Sequence, residues 1–293
     1  MKKTISIILC IILVGLSLAS CKSEKKESSA NIADGTNYTY DSAYSFEDAT
    51  IRAYRDLCRA VVLGNEEVRI NSGFLDDVLQ LFYTSFPLSA LVEKIEPSES
   101  GYIIKYKSSD AHKDALQFLE KVRSIKTEIN NENDTVYAIN LYNRIASSIK
   151  VSDNNSISCY ETIMKGEGTS FSYSNMFEYL LQQEGIKAYH ILCEDAGGNS
   201  KAISAAELDG KLYYFDMMSE YYDNGGKLLK YFGMTTADTE GTGLVNFIYT
   251  NHETADDASD LRFQACRTCT DWEIDSNNLF ITRNDGEIVQ VAL

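Results

Sequence analysis

Few side chains in this sequence could do covalent chemistry. Five cysteines follow Cys21: Cys58, Cys159, Cys193, Cys266 and Cys269. An odd number leaves one thiol free unless two chains pair. A thiol becomes a nucleophile as thiolate and needs a base to make it one. The three histidines are His112, His190 and His252. His190 lies near Cys193 on a predicted strand, so Cys193/His190 is one candidate pair for acyl transfer. Positions three apart on a strand point to opposite faces, which weighs against it. His112 falls in the first turn of a predicted helix, at the surface. His252 falls in the loop-like acidic stretch from Asn251 to Asp260. Cys266-x-x-Cys269 has no second pair or nearby histidine and makes a poor zinc site; it reads as a local disulfide or two buried thiols. Asp256, Asp257 and Asp260 lack calcium-loop spacing. Asp223-Asn224-Gly225-Gly226 is a turn signal rather than a phosphate cradle. No P-loop, dinucleotide fingerprint or HExxH occurs. No metal and no cofactor are expected.

The elements that would hold these residues begin after a leader. Lys2 and Lys3 precede an apolar run from Ile5 to Leu18, about fourteen residues and short for a membrane span. The run ends in Leu18-Ala19-Ser20-Cys21, which resembles a bacterial lipobox. The expectation is cleavage after residue 20, lipid on Cys21, and anchoring on the outer face of a cell membrane. Residues 21–40 read as a disordered tether. Residues 41–133 read as a helical region with a small β-element. Ser45 can cap a helix whose face is Ile51, Tyr54, Cys58, Val61 and Val62, with Gly64 closing it. Phe74 to Phe82 is a second helical run. Tyr102, Ile104 and Tyr106 alternate as in a strand. Ala111 to Ile129 reads as a long helix capped by Ser109.

Residues 134–293 read as the core. A helix spans 134–149, and an apolar stripe of Tyr173, Met176, Phe177, Leu180 and Leu181 marks another, ended by Gly185. Strands follow at about 187–193, 202–208 and 211–216, the last two joined at Asp209-Gly210. A last hairpin runs through Leu279–Ile281 and Ile288–Val291, turned by Asn284-Asp285-Gly286. The fold class is α+β. Charge narrows the partners. The 27 basic side chains, less Lys2 and Lys3, face 43 acidic ones, a net charge near −18 after the leader. That excludes nucleic acid as a natural ligand and favours solubility outside the cell.

Within the core, Gly166-Glu167-Gly168-Thr169-Ser170-Phe171-Ser172-Tyr173 and Asp209-Gly210-Lys211-Leu212-Tyr213-Tyr214-Phe215-Asp216 resemble the transglutaminase-like superfamily, over roughly 135–235. The resemblance implies a papain-like core after the helical region. In that family a G-x-G-V-C-x-G-Y turn sets a nucleophilic cysteine at a helix N-terminus. An H-A-W-N strand carries the base, and a D-G-x-W-Y-x-x-D hairpin ends in the aspartate that orients it. Here the cysteine position holds Ser170, and the following glycine position holds Ser172. The histidine position, fifteen residues before Asp216, holds Lys201. Ala202 matches, while Ile203 and Ser204 replace tryptophan and asparagine. Gly210, Tyr213 and Asp216 match.

A serine hydroxyl needs a close general base. Lys201 could serve only if its amine were deprotonated, and a neighbouring Asp216 would keep it charged. The resemblance therefore implies a degenerate member, with Ser170, Lys201 and Asp216 as vestigial triad positions. The expected role is binding an extracellular polypeptide or a cell-wall component. The alternative is an active acyl-transfer enzyme or peptidase using Ser170/Lys201/Asp216 or Cys193/His190. The tyrosine run Tyr213, Tyr214, Tyr221 and Tyr222 suits core packing, or else a former substrate groove.

Overall fold

A computed structural model describes residues 48–70, 73, 75–129, 133–152, 158–249 and 258–293. The leader, Cys21, the tether, Ser45, Phe74, His252, Asp256 and Asp257 lie outside the described residues. Among the described residues no helix is long and apolar enough to cross a membrane.

The chain is an α+β protein. Its N-terminal region holds α1 (Asp48–Val62), β1 (Glu67–Val68), α2 (Leu75–Ser85), β2 (Val92–Pro97), β3 (Tyr102–Tyr106) and α3 (Ala111–Thr127). The expected face of α1 is buried at Tyr54, Cys58, Val61 and Val62. β3 is central in a small antiparallel sheet of order β1-β3-β2, and its alternating Tyr102 and Ile104 turn inward. The expected cap of α3 is corrected: Asp110, not Ser109, is the N-cap residue. His112 is exposed, but its Nδ1 lies 3.0 Å from Val62 O, tying α3 to the end of α1.

The core follows with α4 (Asp134–Ser148), α5 (Cys159–Lys165), α6 (Ser170–Gln182), β4 (Ala188–Glu194), β5 (Ser200–Leu208), β6 (Lys211–Phe215), α7 (Met217–Asn224), α8 (Thr236–Gly241) and β7 (Val245–Tyr249). Four of these strands form an antiparallel sheet of order β6-β5-β4-β7. The β5–β6 hairpin turns where expected, with Asp209 and Gly210 both at positive φ as a tight two-residue turn requires. Strand periodicity divides the sheet. Ala188, Ala206, Tyr213 and Phe215 pack in the main core on the α6 side, while Tyr189, Ile191, Cys193, Ile203, Ala205 and Tyr214 fill a second cluster behind it. Phe177 of α6 meets Phe215, and Phe232 bridges Phe215 and Phe263, with ring centroids 5.0 to 5.3 Å apart. The main cluster continues into the N-terminal helices without a break, so both regions bury one apolar interior.

The tail forms a three-stranded antiparallel sheet: β8 (Cys269–Asp275), β9 (Asn278–Arg283) and β10 (Ile288–Ala292). The expected hairpin is β9–β10; β8 is an addition, as are β7, α7 and α8. Cys266 and Cys269 are buried free thiols here, the second of the two readings open in the sequence. Burial is the main cause pushing the Cys266 thiol up to about 12.

Candidate functional site

The helix α6 starts at the position the resemblance gives to the nucleophile. Ser170 is its first residue, and Thr169 is the N-cap, so Ser170 is not the cap residue itself. The Thr169 N–H donates to Ser172 Oγ at 2.8 Å, closing the first turn. Gly168 is needed for close approach: a Cβ there would lie 2.2 Å from Ser172 Oγ and 2.6 Å from Thr162 Oγ1. The backbone of Gly168 is also held, its N–H donating to Lys150 O and its carbonyl accepting from Ser152 N–H, each at 2.9 Å.

The second position, Lys201, lies near the start of β5, and the third, Asp216, directly follows β6. The three positions thus stand at a helix start, a strand and a hairpin end, as the resemblance implies. Their polar groups do not form a relay. Lys201 Nζ donates to Asp216 Oδ2 at 2.5 Å and to Ser219 Oγ at 2.6 Å. Asp216 Oδ1 accepts from the Ser219 N–H at 2.9 Å and so caps α7. Asp216 is almost wholly buried, and its carbonyl lies 3.3 Å from Tyr142 Oη, whose hydrogen is donated to Glu220 Oε2 at 2.8 Å. Ser170 Oγ instead accepts a long bond, 3.4 Å, from the Ala202 backbone N–H. No hydrogen bond joins Lys201 Nζ to Ser170 Oγ. The hydrogen bonds of this amine are directed at Asp216 and Ser219 instead.

The Cys193/His190 pair is not assembled either. Cys193 belongs to the cluster behind the sheet, opposite Lys201 on β5. Burial first, then the Asp216 carboxylate, push its thiol up to about 12, which removes thiolate character. His190 faces α6, where its Nδ1 lies 3.0 Å from Ser174 Oγ. Ser174 Oγ has one hydrogen, and its shortest contact is Ile203 O at 2.6 Å. Given to that carbonyl, the hydrogen leaves Oγ as an acceptor. His190 Nδ1 is then the donor and Nε2 carries the lone pair. Burial pushes this imidazole down to about 4.

Two residues of this corner escape sequence reasoning. Ser219 became a partner of Lys201 only through α7, and Asp216-x-x-Ser219 is the capping signal that could have marked that helix. Ser174 gives no signal, because it sits inside an apolar stripe. Tyr213 and Tyr214 are buried and pack in the two cores, while Tyr222 is exposed. Among the described residues no group of three or more His, Cys, Asp or Glu side chains could hold a metal ion.

Comparison with known proteins gives distant likenesses. A Cytophaga hutchinsonii protein assigned as a cysteine protease is similar over 34% of this chain and 37% of its own, at 16% identity and a TM-score of 0.31. A structure solved as a TGase is similar over 54% and 53% of the two chains, at 9% identity and a TM-score of 0.29. A Parabacteroides distasonis protein assigned as a protease is similar over 43% of this chain and 30% of its own, at 15% identity and a TM-score of 0.28. The chain spans about half the length of the second and about a third of the other two. No family profile and no curated protein matches it.

Proposed function

We propose that this chain is a lipid-anchored, extracytoplasmic protein whose transglutaminase-like core has lost catalysis and binds a polypeptide or a cell-envelope component. The observation that carries the loss of catalysis is the bonding of Lys201. Its amine is spent on Asp216 and Ser219, and Ser170 is left bonded to a backbone N–H. A serine so placed has no general base, and a helix N-terminus alone does not ionise a hydroxyl. The motif residues Gly168, Tyr173, Gly210, Tyr213 and Asp216 support the family reading, since they serve packing and turns as well as chemistry. The order of charge, apolar run, small pair and Cys21 supports the anchor.

The test of catalysis is to incubate the purified full chain with a labelled amine and a glutamine-rich protein, then with a peptide library. Ser170→Ala and Cys193→Ala run alongside. No turnover is expected in any of the three. Turnover that either substitution abolishes would make the chain an enzyme and name its nucleophile. The anchor has its own test. Cells fed labelled palmitate are expected to label the wild-type chain and leave Cys21→Ser unlabelled and outside the membrane fraction. Equal labelling of both would sink the anchor.

A further inference from the structure

The three-stranded tail sheet leaves one side open. β8 is an edge strand, and among the described residues no backbone hydrogen bond reaches its outer side. The two-residue turn Ser276-Asn277 joins it to β9, so Asp275 and Asn278 close the hairpin. Bonding then alternates along the pair. Asp275, Glu273 and Asp271 bond to β9, and the backbone groups of Ile274 and Trp272 point away from it. Trp272 agrees with this pattern, since its N–H donates to Asp271 Oδ1 at 2.9 Å and not to β9. The opposite edge is partly held: Arg262 Nε and Nη2 donate to Ala292 O of β10 at 3.0 and 2.7 Å.

Side chains divide β8 by period two. Trp272 and Ile274 pack on the main core, while Asp271, Glu273 and Asp275 stand exposed on the other face. Among the described residues none of these three carboxylates has an ion pair. The one basic side chain of residues 269–293, Arg283, is already paired with Asp285 and Glu287. Side chains two apart on a strand recur at about 6.8 Å. An added strand with cations at every second residue has the same spacing, so each cation meets one carboxylate across the pair. A second copy of this chain would set one acidic row beside another, which repels.

We propose that β8 takes up an extended basic polypeptide as an added strand, with lysine or arginine at every second residue against Asp271, Glu273 and Asp275. The backbone edge supplies affinity and the acidic row supplies the choice of partner. This surface lies apart from Ser170, Lys201 and Asp216, and the inference stands whether or not the core is catalytic.

Trp272 is the single tryptophan of the chain and lies in β8, so its emission reports on this edge. The test titrates the full chain, in detergent at low salt, with three peptides. The first is Lys-Thr-Lys-Val-Lys-Thr-Lys, the second has the same composition with its lysines grouped at one end, and the third is the first with alternate backbone nitrogens methylated. Saturable binding that shifts the Trp272 emission is expected for the first peptide, at least about tenfold tighter than for the other two. Glu273→Lys is expected to weaken it by about tenfold or more, with the circular-dichroism spectrum unchanged. If Glu273→Lys fails to fold, Asp275→Lys at the strand end replaces it. No saturable binding, equal binding of the grouped or methylated peptide, or binding untouched by the folded variant would each overturn the assignment. So would a Trp272 emission that shifts with protein concentration alone, because a second copy would then occupy the edge.

Discussion

Replacing Lys201 by Met is expected to destabilise the chain by about 3 kcal/mol, read from urea denaturation. The reason is asymmetric burial. Asp216 is 1% exposed and Lys201 17%, so removal of the amine strands a carboxylate with little access to water. The carboxylate would keep its bond from the Ser219 N–H, which softens the loss without cancelling it. Asp216→Asn added to Lys201→Met is expected to recover part of the stability, because a neutral amide oxygen can still cap α7 and carries no charge to desolvate. A loss below about 1 kcal/mol for the single change would mean that the pair behaves as a surface ion pair. That outcome would also weaken the claim that this amine is withheld from Ser170.

The second large effect is acid sensitivity from His190. Burial holds the folded-state value near 4, while an unfolded histidine titrates at about 6.5. Between those two values the unfolded chain binds a proton that the folded chain refuses. Stability is therefore unaffected by this group above about pH 6.5, falls as pH falls, and levels off below about pH 4. The full loss is about 3 kcal/mol. His190→Gln keeps a polar group beside Ser174 without the titration. Urea curves for both proteins at about pH 7 and about pH 4.5 isolate the effect, because the carboxylates they share cancel in the difference. The wild type is expected to lose more than the variant by about 2 to 3 kcal/mol on going to the lower pH. Equal losses would show that His190 protonates in place without cost.

Much of the core was legible in the sequence. The apolar stripe from Tyr173 to Leu181 and the glycine after it mark α6, and period-two runs around Asp209-Gly210 mark β5 and β6. These signals are local, each written within one element and its turn. The missed pieces have weak local signals or depend on distant partners. Cys269 to Asp275 mixes charged and apolar residues and becomes a strand only beside β9. The bond from Lys201 to Ser219 joins positions on separate elements, and Ser219 is placed by a helix that begins at its own partner, Asp216. A cavity of about 870 Å³ beside α6 was illegible for the same reason. Its walls come from α2, β2, α5, α6 and β4, and no single stretch carries its outline.

The way the main sheet ends has a consequence for the chain in crowded surroundings. β6 is an edge in the strand order, yet its outer side is occupied: Tyr214 N–H donates to Met234 O at 2.9 Å, Met234 N–H returns a bond at 2.8 Å, and Asp216 N–H donates to Tyr231 O at 3.1 Å. At the other end β7 has Asn246 in a left-handed conformation and a break in register opposite Leu192 and Glu194. Strand edges recruit other chains when they are long, flat and unpaired. Here one edge is covered and the other is kinked, so the described part of the main sheet is a poor template for pairing backbone to backbone with neighbouring copies.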